Sequence, residues 1–147
     1  MPDVFIDTDV AFDIISGRQP HHTESVKLLH LAAQGKIQLM ISESSLATLF
    51  YLSFDIYKIE KATTKLQHLI NASDLIHARK PIVTRALQSD FRDKEDALQY
   101  YAAIDAGAAY FITRNIKDFR NADALLPVFM PSDFIRNYNL IRYRRRG

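Results

Sequence analysis

Between Asp93 and Phe119 the chain reads DKEDALQYYAAIDAGAAYFITRNIKDF, and few folds accept residues in that order. Ala97, Tyr101, Ile104 and Ala108 recur at helical spacing, which predicts a helix over about 93–106 with one face on a core. Asp93 and Asp96, three apart, share a face of it. Gly107 is placed to stop the helix. Ala109 to Ile112 is then an unbroken apolar run of strand length. A run without polar alternation fits a strand covered on both faces, as in a parallel sheet. It ends abruptly in Thr113, Arg114 and Asn115, with Asp118 just beyond. Open parallel sheets bind ligands outside the carboxyl ends of their strands, so residues at such ends become the candidates for function.

The same ending recurs elsewhere. Val4, Phe5 and Ile6 predict a strand over 3–7, followed by Asp7, Thr8 and Asp9 and a helix over 9–16 that Gly17 closes. Ile37 to Ile41 predicts a second strand, ending in Ser42 and Glu43. A helix over 43–56 follows, with Leu46, Leu49, Phe50, Ser53 and Phe54 on one side. Further helices are expected over 21–34, 58–71, 81–88 and 131–139, with short strands over 74–77 and 127–130. Strands and helices in alternation give one domain over 1–147, a three-layer α/β/α fold with a central parallel sheet. Right-handed crossovers bring the strand ends to one edge. That edge gathers Asp7, Asp9, Glu43, Thr113, Asn115 and Asp118, and Asp96 projects from a neighbouring helix. Each acid also has a local explanation. Asp7 or Asp9 suits a helix N-cap, and Glu43 suits a first turn through the helix dipole. His21 and His22 point to different sides of a helix and have no partner at ligand spacing, so they read as polar residues at a helix start.

Composition narrows the chemistry. The 147 residues include no cysteine, which removes disulfides, thiolate-held metals and thiol nucleophiles, and a cytoplasmic setting is expected. No apolar run has the length of a membrane span, and the N-terminus lacks the basic and apolar pattern of a signal peptide. Four glycines in the whole chain leave no glycine-rich phosphate loop, and there is no nucleophile elbow. Several carboxylates held together need a counter-charge. With oxygen donors only, the expected ion is Mg²⁺ or Mn²⁺, which suits phosphodiester hydrolysis. The net charge of +2 does not announce a nucleic-acid partner, but Arg142, Arg144, Arg145 and Arg146 form a basic tail from about residue 140. That tail is a candidate for phosphate contact, or else a solvated terminus. Arg114 and Lys117 are further candidates beside the acids.

VFIDTDV (4–10), EDALQYYAA (95–103), TRNIKDF (113–119) and VFMPSDFI (128–135) together resemble the signature stretches of PIN domains, in the right order and across almost the whole chain. The small bacterial members, VapC-type toxins of toxin–antitoxin pairs, are the most similar. The resemblance implies a Mg²⁺- or Mn²⁺-dependent ribonuclease in which Asp7, Asp96 and Asp118, with Asn115, hold the ion and Thr113 stands beside it. Water then attacks the RNA phosphate in line, leaving a 5′-phosphate and a 3′-hydroxyl. It also implies an antitoxin partner and a homodimer. One position departs from the pattern. Where the family has a second acid, in the helix after the second strand, this chain has Thr48. Glu43, Asp93 and Asp9 are the acids available to compensate. The alternative is a non-catalytic PIN module that binds RNA or a protein partner. A nuclease for structured DNA is a third reading, for which the chain offers no added arch or clamp.

Overall fold

The computed structural model describes residues 1–120, 122 and 125–146, with side chains through residue 138. Its centre is a five-stranded sheet in which every neighbouring pair is parallel. The strands are β1 (Asp3–Ile6), β2 (Gln38–Ser42), β3 (Ser73–Ile76), β4 (Tyr110–Ile112) and β5 (Val128–Phe129), in spatial order β3-β2-β1-β4-β5. The helices are α1 (Thr8–Ser16), α2 (His21–Ala33), α3 (Glu43–Phe50), α4 (Ala62–Asn71), α5 (Lys80–Gln88), α6 (Lys94–Asp105) and α7 (Pro131–Arg146). None of the described helices is long and apolar enough to cross a membrane.

Successive residues of the central strands point to opposite faces, and both faces are covered. Val4, Ile6, Leu39, Ile41 and Ile112 enter one core with α1, α2, Leu49 of α3, Leu66 and Leu69 of α4, and Phe134 of α7. Phe5, Met40 and Phe111 enter the other, with Ile82 of α5, the Ala97–Ala103 face of α6, Phe91 and Phe119. This double cover is why β1 and β4 carry no polar alternation. The expected three-layer fold is the one observed.

Differences fall where local pattern and packing diverge. The helix expected over 43–56 changes character at Tyr51 and continues to Ile56 as a π-helix, marked by the Tyr57 amide donating to the Leu52 carbonyl. Ser53 is buried, while Phe50, at the end of α3, and Phe54, within the wider turn, face outward at 44% and 45% exposure. They do not share Leu49's buried side, as their spacing suggested. The helix expected from 58 begins at Ala62, because Lys58 and Lys61 take positive φ angles of 47° and 57° that no helix accommodates. The last helix runs past Asn139 to Arg146, but the side chains of Arg142, Arg144, Arg145 and Arg146 lie outside those described.

Candidate active site

β1 and β4 lie side by side, so their carboxyl ends open on one spot. The Asp7 amide donates to the Ile112 carbonyl at 3.1 Å, extending the pairing one residue beyond β1. Asp7 then caps α1, its Oδ1 accepting from the Val10 amide at 2.9 Å. The local reading of Asp7 as a cap therefore holds, and the Thr113 hydroxyl also bonds its carboxylate. Asp7 is only 4% exposed. Burial pushes its pKa from 3.8 up to about 7, Asp9 adds to the rise, and the Thr113 hydroxyl, the Val10 amide and Arg114 oppose it.

Asp96 approaches from the first turn of α6. Its pKa also rises to about 7, first through partial burial and then through repulsion from Asp93, Asp7, Asp118 and Asp9. Asp7, Asp9, Asp93 and Asp118, from three parts of the chain, thus all lie close enough to Asp96 to repel its charge. Asp93 is partly committed, because its Oδ1 caps α6 by accepting from the Glu95 and Asp96 amides at 2.9 and 3.2 Å. Asp118 sits exposed on a 3-10 turn over Ile116–Phe119. That turn is held at both ends. The Thr113 hydroxyl accepts from the Asn115 amide at 3.1 Å. Phe119 is buried against Phe111, Phe91 and Tyr100, with ring centroids 4.9, 5.5 and 5.9 Å away.

Other candidates are placed elsewhere. Glu43 does not join the cluster; His77, at the end of β3, holds its carboxylate at 2.6 Å. Lys117 is exposed. Arg114 turns inward, its Nε donating to Asp13 Oδ2 at 2.7 Å. Burial raises the pKa of Asp13, and Arg114 opposes that rise.

Beneath the acids lies a polar network that sequence reasoning missed. The Thr8 hydroxyl donates to Ser45 of α3 at 2.8 Å, and the Thr8 amide donates to Gln99 Oε1 of α6 at 3.1 Å. Glu95 reaches the same hydroxyl at 3.4 Å. Thr8, Ser45 and Gln99 are all buried, so these bonds lock α1, α3 and α6 together directly under the carboxylates. Gln99 left a trace in the sequence, as a lone amide one turn beyond Asp96 on a helix otherwise apolar toward the sheet.

Among the described residues, no three His, Cys, Asp or Glu side chains converge into a ready-made metal cage. The donor chemistry nonetheless fits a hard, largely hydrated divalent cation. Such ions take one or two carboxylates and keep several waters. Asp7 and Asp96 supply oxygen donors whose raised pKa values show that Arg114 does not offset their burial and mutual repulsion.

Sequence and fold both resemble known proteins. The PIN domain model matches residues 3–117. The chain belongs to the PIN-domain family. It is 28% identical over 143 residues to Ribonuclease VapC1 of Aquifex aeolicus (strain VF5), covering 94% of this chain and 96% of that protein. The fold is similar to that in VapBC2 from Rickettsia felis bound to a DNA fragment from its promoter, with a TM-score of 0.66 at 21% identity, covering 87% of this chain and 98% of that one. A toxin–antitoxin complex from Klebsiella pneumoniae gives a TM-score of 0.65 at 21% identity, covering 87% and 97%.

Proposed function

We propose that this PIN-domain protein is a divalent-metal-dependent endoribonuclease, the toxin of a toxin–antitoxin pair, acting in the cytoplasm. The observation that carries the reading is the pair Asp7 and Asp96, two buried or half-buried carboxyls held near pKa 7 at the joined ends of β1 and α6. Perturbed carboxyls at the carboxyl edge of a parallel sheet mark a functional site more readily than a structural one. Near-whole-length similarity to a ribonuclease supports RNA as the substrate.

Asp7 and Asp96 would hold Mg²⁺ or Mn²⁺, with Asp118 and Asp9 at the rim and Asn115 beside Asp118. When bound, the ion supplies positive charge for the transferring phosphoryl group and lowers the pKa of water. The chain's own residues do the rest. The Thr113 hydroxyl steadies both Asp7 and the Asn115 turn. The Thr8–Ser45–Gln99 lock fixes the floor, so the two carboxylates keep their spacing when a substrate strand presses on them. The resemblance to toxin–antitoxin complexes supports a protein partner. So does the outward apolar strip of Phe50, Tyr51, Phe54 and Ile56, of the kind that partners or a second copy cover.

Thr48, in place of the family's acid, favours a second reading, a PIN module that binds RNA without cutting it. The deciding experiment is cleavage of a mixed RNA panel by the purified protein in Mn²⁺, with Asp96→Asn alongside. Cleavage that needs both the ion and Asp96 is expected. Cleavage untouched by Asp96→Asn contradicts the assignment, and RNA binding without any cleavage or metal affinity supports the second reading.

A further inference from the structure

Beside the acids lies a cavity of about 70 Å³ that their chemistry does not use. It opens where the start of α2, the start of α7 and the residue after Thr113 meet, and His21, Glu24, Ser25, Arg114, Pro131 and Ser132 are among its lining. Ser25 is 0% exposed, and its hydroxyl has no hydrogen-bond partner among the described residues. Burying a hydroxyl without a partner is costly, so native structures rarely leave one empty-handed.

The wall is apolar at Pro20, Met130 and Pro131, and donors enter it from Arg114 and the start of α7. Arg114 is fixed in place by the bond from its Nε to Asp13, which leaves its terminal nitrogens in a rigid fork suited to an oxyanion. At α7 the first intrahelical bond runs from the Phe134 amide to the Met130 carbonyl. Pro131 has no N–H, so the Ser132 and Asp133 amides lack a partner within the helix, at its positive end. His21 also lines the cavity. The one acid in the wall, Glu24, is turned to Lys27 at 2.9 Å. Asp13 is matched by Arg114. Water alone would satisfy the Ser25 hydroxyl, but a fixed guanidinium fork and an uncapped helix start call for acceptor oxygens carrying charge.

We infer that this cavity binds a non-scissile phosphate of the RNA strand and thereby sets where along the strand the cut falls. The inference rests on the ribonuclease reading. It adds that Arg114, one residue beyond Thr113, holds the backbone next to the carboxylates rather than taking part in the reaction. The Ser25 hydroxyl without a partner among the described residues, the Asp13-fixed Arg114 and Ser132 at the start of α7 lie together around one small cavity.

The test is binding of a non-cleavable 2′-O-methyl oligonucleotide, without divalent ions, by the full chain and by Ser25→Val and Arg114→Gln. Ser25→Val fills the cavity without altering charge and carries the test if Arg114→Gln fails to fold. Each lost phosphate contact lowers the slope of log affinity against log salt by about 0.7 for a single strand. Both variants are expected to lose about that much, and Ser25→Val to spread the cleavage positions on natural RNA. RNA binding with an unchanged slope and unchanged cut positions overturns the inference while leaving the ribonuclease reading standing. No RNA binding even by the unsubstituted protein removes that reading and this one with it. A parallel titration with inorganic phosphate separates the sources. If phosphate occupies the cavity yet the RNA slope is the same in both variants, the cavity serves a free anion and the inference fails.

Discussion

Two strand ends of the same sheet start from similar residues and finish differently. At the ends of β2 and β3, Ser42 caps α3 and Glu43 leans out to His77, an exposed pair with both side chains in reach of water. At the ends of β1 and β4, Asp7 also caps a helix, but it does so inside the protein, with Asp96 of α6 near enough for the two charges to repel. The first end has discharged its acid locally. The second holds carboxyls that neither a cap nor Arg114 neutralises. The difference is burial and neighbours, not residue type. A carboxylate at a strand end becomes a site only where the adjacent helix adds another and the packing keeps water away.

Several substitutions would break that contrast or sharpen it. Asp7→Asn or Asp96→Asn should cut RNA cleavage by about three orders of magnitude, the scale on which removing one electrostatic contributor at a reacting centre acts. Single-turnover rates in Mn²⁺ measure it. Thr48→Glu should make the β1 end more acidic and raise divalent-ion affinity by about tenfold, within the range that one added partner contributes. Calorimetric titration with Mn²⁺ reads the change.

Next comes pH. The carboxyls of Asp7 and Asp96 rise from 3.8 to about 7, so the folded chain binds more protons than the unfolded one between those values. The stability this confers is fully present below about pH 4 and is lost as pH rises through about 7. Thermal melts without divalent ions should therefore fall between pH 5 and 8. Mg²⁺ should restore them increasingly toward pH 8, by about 3 °C for each kcal/mol regained in a domain of this size. At the other strand end Glu43→Gln should change stability by less than about 1 kcal/mol and leave cleavage unaltered, as for an exposed pair. A large effect there would erase the distinction between the two ends.

The sequence made much of this visible for a physical reason. Unbroken apolar runs such as Phe111–Ile112 arise only where a sheet is covered twice, and a run that stops in polar residues marks the strand's end. Asp7, Asp96 and Asp118 could thus be brought together on paper. What stayed hidden depends on three-dimensional detail. The direction of Glu43 was set by His77, far along the chain. The change to a π-helix at Tyr51 has no sequence period of its own. Ser45 and Thr8 look like ordinary helix-start residues until Gln99 bridges them. Asp13 could have been flagged, as a charge within the apolar α1, but its partner Arg114 lies 101 residues away.

The central claim is that the end of β1 holds two carboxyls which repel each other until a divalent cation joins them. Carbon-13 NMR of the aspartate carboxyls, titrated with and without Mg²⁺ and assigned with Asp7→Asn and Asp96→Asn, tests it directly. The expected result is two carboxyls titrating near pH 7 without the ion and shifted down by it. Two carboxyls titrating near 3.8 in both conditions would contradict it.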